Sequence, residues 1–148
     1  MIENTQKRAM EYFASDYNCA QSVMKSILES KGMDFDEIFH LAAGFGGGVG
    51  LQGHICGAVS GAVAALGVIN GDSYDNFIKH KETTYSSVEK FIKLFSEKNG
   101  SIICDDLTGI TMADKASHDK AIEDGTFRKI CPDYVKDAIR FVLEMTKE

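Results

Sequence analysis

Four cysteines, Cys19, Cys56, Cys104 and Cys131, are the residues of this 148-residue chain best suited to chemistry. A thiolate is a nucleophile and a soft metal ligand. Four of them can complete a thiolate-bound metal or cluster site, and two can cycle between dithiol and disulfide. Tens of residues separate each cysteine from the next and no CxxC pair exists. Zinc ribbons, thioredoxin-type motifs and c-type haem attachment are therefore unsupported. Any shared site has to be built by tertiary packing. Taken singly, each cysteine reads more readily as a small buried hydrophobe.

Local context adds to the spacing. Cys19 follows Asn18, a good helix cap, and Cys56 comes just after the break at Gly53. Cys104 precedes Asp105-Asp106-Leu107, which reads as a helix start, and Cys131 precedes Pro132, a favoured first helical residue. The sequence thus predicts all four thiols at or near helix N-termini. There the helix dipole and the unpaired N–H groups favour a thiolate and depress its pKa.

The elements that must position these thiols read as helices throughout. Proline occurs once and alternating β-branched runs are scarce. Helical spacing predicts Glu3–Ser15, then Cys19 to about Ser30 with Val23, Ile27 and Leu28 inward, then a helix capped by Asp34. A glycine-rich loop from Gly44 to Gly53 precedes an apolar helix from His54 to about Val68. Asp72 or Ser73 starts a long helix reaching Lys98, with Phe77, Tyr85, Val88, Phe91, Ile92 and Phe95 spaced for burial. A short exposed helix is expected from Asp114 to Asp124, and Pro132 is expected to open the last helix. The fold expectation is all-α: a single-domain bundle of about five to seven helices, with the glycine loop before a small-residue central helix.

That central helix opens with Cys56-Gly57-Ala58-Val59-Ser60-Gly61. A helical glycine costs up to about 1 kcal/mol relative to alanine, so Gly57 and Gly61 imply a close backbone approach by another helix or a bulky group. Gly48-Val49-Gly50-Leu51-Gln52-Gly53 matches GxGxxG only formally, because a helix rather than a strand precedes it. Glycine N–H groups there can instead approach the sulfurs. His54, two residues before Cys56, reads first as an exposed loop histidine, with a supporting donor or a replacement ligand as the alternatives. Together Gly53, His54, Gly57, Ala58 and Gly61 form the expected supporting set around the four thiols.

Composition closes off other classes. The apolar fraction is 44%, the charged fraction 26% and the net charge −6, ordinary for a globular protein and wrong for a general nucleic-acid binder. The run Ile55–Ile69 is too short to span a bilayer, which takes about 20 apolar residues. The N-terminus lacks an apolar signal core, so a cytoplasmic location without membrane insertion is expected.

The combination of Tyr17-Asn18-Cys19-Ala20, Cys56-Gly57-Ala58-Val59-Ser60-Gly61, Cys104 and Cys131-Pro132-Asp133-Tyr134-Val135 resembles the C_GCAxxG_C_C family of redox-active proteins over nearly the whole chain. The resemblance extends to the split-Soret cytochromes, though without any haem-attachment motif. It implies an iron–sulfur cluster at Cys19, Cys56, Cys104 and Cys131, most simply [2Fe–2S], serving electron transfer or sensing. Two alternatives stand beside it: a metal-free thiol–disulfide protein, and a structural zinc site in a non-enzymatic interaction module. A redox partner or transporter-associated protein is the implied partner, and a homodimer is compatible with the reading.

Overall fold

In the computed structural model, which describes residues 1–147, the apolar stripes fold into eight α-helices. They are α1 (Ile2–Ala14), α2 (Cys19–Ser30), α3 (Ile38–Ala42), α4 (Gly57–Gly71), α5 (Phe77–Asn99), α6 (Cys104–Thr108), α7 (Lys115–Glu123) and α8 (Thr126–Met145). A 3₁₀ turn at Ala43–Phe45 extends α3. Extended pairing among the described residues is limited to one antiparallel bridge between Ile55 and Ile103. The all-α expectation holds, with eight helices rather than five to seven.

The core is the junction of α2, α4, α5 and α8. Val23, Met24, Ile27 and Leu28 meet Ala58, Val59, Ala62, Ala65 and Leu66, with Phe91, Phe95, Val135, Ile139 and Val142 closing the other side. The helix ends follow local chemistry. Asn18 caps α2 in a reciprocal box: its Oδ1 accepts from Gln21 N and the Gln21 side chain accepts from Asn18 N, each at 2.9 Å. Gly100, at φ 85°, stops α5 in the left-handed conformation that glycine adopts without penalty. Asp137, buried on α8, accepts from Lys98 Nζ at 2.9 Å and ties α5 to α8.

Four helix starts differ from the sequence expectation. The central helix α4 begins at Gly57 rather than at His54, because Ile55 is extended in its bridge to Ile103. Asp34 does not cap α3, which begins at Ile38; its carboxylate instead accepts from Lys25 Nζ at 3.1 Å. The long helix begins at Phe77 under an Asn76 cap, so Asp72 and Ser73 belong to the turn after α4. The last helix begins at Thr126, after Gly125 at φ 71°, and Pro132 lies inside it. Proline there withholds the N–H that Arg128 O would otherwise receive, a cost that burial of the following residues offsets. Burial also departs from the expectation at two positions: Phe77 is 87% and Tyr85 67% exposed, because α5 reaches the core only from its second half.

The two glycines of α4 have one cause. A Cβ on Gly61 would stand 2.7 Å from Ala20 O, and one on Gly57 would collide with Cys19 Sγ. They let α2 lie against the backbone of α4, the helix-packing explanation of the glycine pair. Gly67, by contrast, has nothing within 4 Å of the point a Cβ would occupy, and no left-handed φ. Gly61→Ala should therefore lose about 1–3 kcal/mol by overpacking, whereas Gly67→Ala should gain up to about 1 kcal/mol from helix propensity. Urea denaturation of both variants checks this, and equal effects would mean that α2 and α4 do not touch at Gly61.

Candidate functional site

Cys19 occupies the first position of α2, Cys56 is the N-cap of α4, and Cys104 is the first residue of α6. These three sit where the sequence places them. Cys131 does not: it lies in the sixth position of α8, within the helix, because α8 starts well before Pro132. Packing nonetheless brings all four together. Cys19, Cys56, Cys104 and Cys131 line one cavity of about 170 Å³. All four are free thiols.

Backbone pairing sets Cys56 and Cys104 side by side. Cys56 N donates to Ile102 O at 2.8 Å, Cys104 N donates to His54 O at 2.6 Å, and the Ile55–Ile103 bridge lies between them. The glycine loop folds over this junction. Gly53 N donates to Gly47 O at 3.1 Å and His54 N to Gly48 O at 2.9 Å. From Gly47 to Leu51 every residue has a left-handed φ between 57° and 74°, including the non-glycine Val49 and Leu51. L-residues do not ordinarily string together in this region, so the turn depends on its three glycines and on the loop hydrogen bonds. At Gly48 a Cβ would stand 2.8 Å from Cys104 Cβ and 2.5 Å from His54 N, and at Gly53 it would collide with the Asp105 carboxylate.

The supporting residues divide accordingly. Gly57 gives room to Cys19 Sγ, Gly61 gives room to Ala20, and the Ala58 N–H points toward the sulfurs of both Cys19 and Cys56. Gly53 gives room to Asp105, whose Oδ1 accepts from Met112 N at 2.9 Å and draws Met112 to the cavity. His54 contributes its backbone groups; its side chain is exposed and does not line the cavity.

Sequence reasoning missed the rest of the wall: Phe13, Leu51, Leu107, Met112, His118, Phe127 and Tyr134. Tyr134 lies one helical turn beyond Cys131 and donates its hydroxyl to Leu107 O at 2.8 Å. That i, i+3 spacing was readable only if Cys131 was placed inside the helix. His118 tilts against Phe127 with ring centroids 5.5 Å apart.

The expected depression of the thiol pKa values is overturned. Burial pushes Cys19 up, although N–H groups of Ala20, Gly47, Cys19 itself and Ala58 favour its thiolate. Cys56 is pushed up by burial and then by charge on Cys19; Ala58 and Val59 N–H groups oppose the rise without closing a cap hydrogen bond. Cys104 is pushed up to about 12 by burial, then by Cys19 and Asp105. Cys131 is pushed up to about 12 by burial, then by Cys19 and Cys104. The mutual effects follow from proximity: a charge on one sulfur disfavours a charge on the next. An apolar wall with no Lys or Arg makes the helix dipole the weaker influence.

What such a site can hold follows from its width and chemistry. Among the described residues no three His, Cys, Asp or Glu side chains converge closely enough to grip one metal ion. The cavity is several times the roughly 30 Å³ share of one water in the liquid. The four thiols are soft donors of the kind that thiophilic metals take, and the charge of such a metal would offset the cost of ionising them.

These shifts set the pH behaviour of the metal-free protein. Below about pH 9 the thiols are protonated both folded and unfolded, and stability is full. Above it the unfolded chain loses thiol protons first, so stability falls until the folded thiols ionise near 12. In Cys104→Ala/Cys131→Ala this decline should be shallower than in the wild type, by up to about 1.4 kcal/mol per pH unit for each thiol removed. Denaturation midpoints across that range measure it; parallel curves would mean that these thiols are already solvated.

A protein of Archaeoglobus fulgidus described as an uncharacterized protein is 31% identical over 112 residues, covering 71% of this chain and 74% of its own length. No solved structure matches the chain. Among the described residues no helix is long and apolar enough to cross a membrane. Residues 17–145, which carry all four cavity cysteines, match the family described as "Putative redox-active protein (C_GCAxxG_C_C)", and the chain belongs to that family.

Proposed function

We propose that this protein transfers or senses electrons through an iron–sulfur cluster, most simply [2Fe–2S], held by Cys19, Cys56, Cys104 and Cys131. The observation that carries this reading is that four thiols from four separate helices line one cavity. Four cysteine ligands are what such a cluster takes, and when bound it supplies one-electron chemistry.

The chain's own residues do the remaining work. Each thiol gives up its proton on ligation, and the metal charge replaces the stabilisation that the apolar wall withholds. Cys56 and Cys104 are set by their shared backbone bridge, Cys19 by the capped start of α2, and Cys131 by the long helix α8. Phe13, Leu107, Phe127 and the ring of Tyr134 keep water from the sulfurs. Leu51 lines the cavity and is 46% exposed, which marks the rim where a redox or transporter-associated partner would approach.

The two other readings fit less well. A zinc ion needs donors closing to about 2.3 Å around one point, and no triad converges so tightly. A thiol–disulfide cycle needs an accessible thiolate, and burial disfavours one at every cysteine.

Purification without oxygen, followed by iron, sulfide and visible-absorption measurements, tests the proposal. Iron and acid-labile sulfide should be present in equal amounts, and each single Cys→Ser variant should lose most of the bound iron. A colourless protein that cannot be reconstituted with iron and sulfide would remove the cluster; recovery of a disulfide would favour the thiol cycle, and tightly bound zinc the structural site.

A further inference from the structure

The four sulfurs are not equivalent. Burial and neighbouring charge alone act on Cys104 and Cys131, whereas backbone N–H groups favour the thiolates of the other two: those of Ala20, Gly47 and Ala58 at Cys19, and those of Ala58 and Val59 at Cys56. Two of the donors at Cys19 are fixed by helices, Ala20 in α2 and Ala58 in α4. Gly47 belongs to the left-handed turn, and something must hold that turn against α2.

Asn18 makes the connection with both ends of its amide. Its Oδ1 accepts from Gln21 N at 2.9 Å, capping the helical turn that bears Cys19. Its Nδ2 donates to Ala43 O at 3.0 Å, at the entrance to the glycine loop. The same side chain fills the space beside Gly46, where a Cβ would stand 2.8 Å from Asn18 Cγ. Gly46 itself has φ −63° and ψ 147°, a conformation open to any residue. Glycine is therefore needed there to admit Asn18, and not to satisfy the backbone.

We propose that Asn18 is a positioning residue that clamps the glycine loop to the start of α2 and so keeps Gly47 beside Cys19 in the cavity wall, with its N–H toward the Cys19 sulfur. The clamp is a property of the chain. Its effect on electron affinity rests on the cluster reading: an N–H donor to a ligand sulfur favours the more negative, reduced state and raises the midpoint potential.

Two variants separate clamp from cap. Asn18→Ser keeps an oxygen that can cap α2 but loses the donor to Ala43. Gly46→Ala keeps Asn18 and forces it off the loop. In amide NMR spectra of the reduced, metal-free full chain, the Gly47 resonance should move upfield in both variants and in Cys19→Ala, and stay in place in Cys104→Ala. Gly46→Ala should add little in the Asn18→Ser background, where serine leaves the space free. In protein reconstituted with iron and sulfide, both single variants should shift the midpoint potential negative in a dithionite titration. A Gly47 resonance indifferent to both variants overturns the clamp. A moved resonance with an unchanged potential overturns its electronic consequence. If the resonance moves but no variant, wild type included, takes up iron and sulfide, the clamp stands and the cluster reading fails.

Discussion

Cys19 Sγ rests against the backbone of Gly57, and Ala20 O rests against Gly61. This close crossing of α2 and α4 governs the rest of the structure. It brings the start of α2 alongside the start of α4, so that two thiols remote in sequence meet at one end of the bundle. It also leaves no room for side chains at the crossing. The Cys-Gly-Ala-Val-Ser-Gly segment is thus a packing motif and a chemical motif at once: the glycines admit the neighbouring helix, and the cysteine caps the helix they belong to.

The same packing creates an electrostatic conflict. Four ionisable sulfurs share an apolar wall with no Lys or Arg among the residues that line it. Helix starts alone do not resolve this, since desolvation of a thiolate outweighs a few N–H dipoles. Burial and the neighbouring sulfurs therefore favour the neutral thiols. Asp105 adds to the negative surroundings of Cys104, yet its contact with Met112 N also shapes the wall. Structural and chemical demands pull in opposite directions at that residue.

Much of this was legible in the residues, for reasons that can be stated. The Asn18 cap, the Asn99-Gly100 stop and the α2 apolar stripe are local signals, and the structure follows them. The purpose of Gly57 and Gly61 was readable because glycine in a helix demands a nearby backbone. Pro132 misled because proline favours first turns, while the real signal for the start of α8 was Gly125, whose left-handed φ separates α7 from α8. That error hid Tyr134. Phe77 and Tyr85 misled because periodicity states which face is apolar and does not state whether anything lies opposite it. The sign of the thiol shifts depended on depth in the cavity, a property of the packed bundle to which spacing is blind.

The backbone bridge between Ile55 and Ile103 has a mechanical consequence. Because Cys56 N and Cys104 N are each bonded across it, their sulfurs are referenced to one another and only indirectly to the rest of the molecule. Cys19 is referenced to the same pair through the packing of its sulfur against Gly57, the residue after Cys56. Cys131 alone reaches the cavity from inside a helix, with its place set by how α8 packs on the bundle.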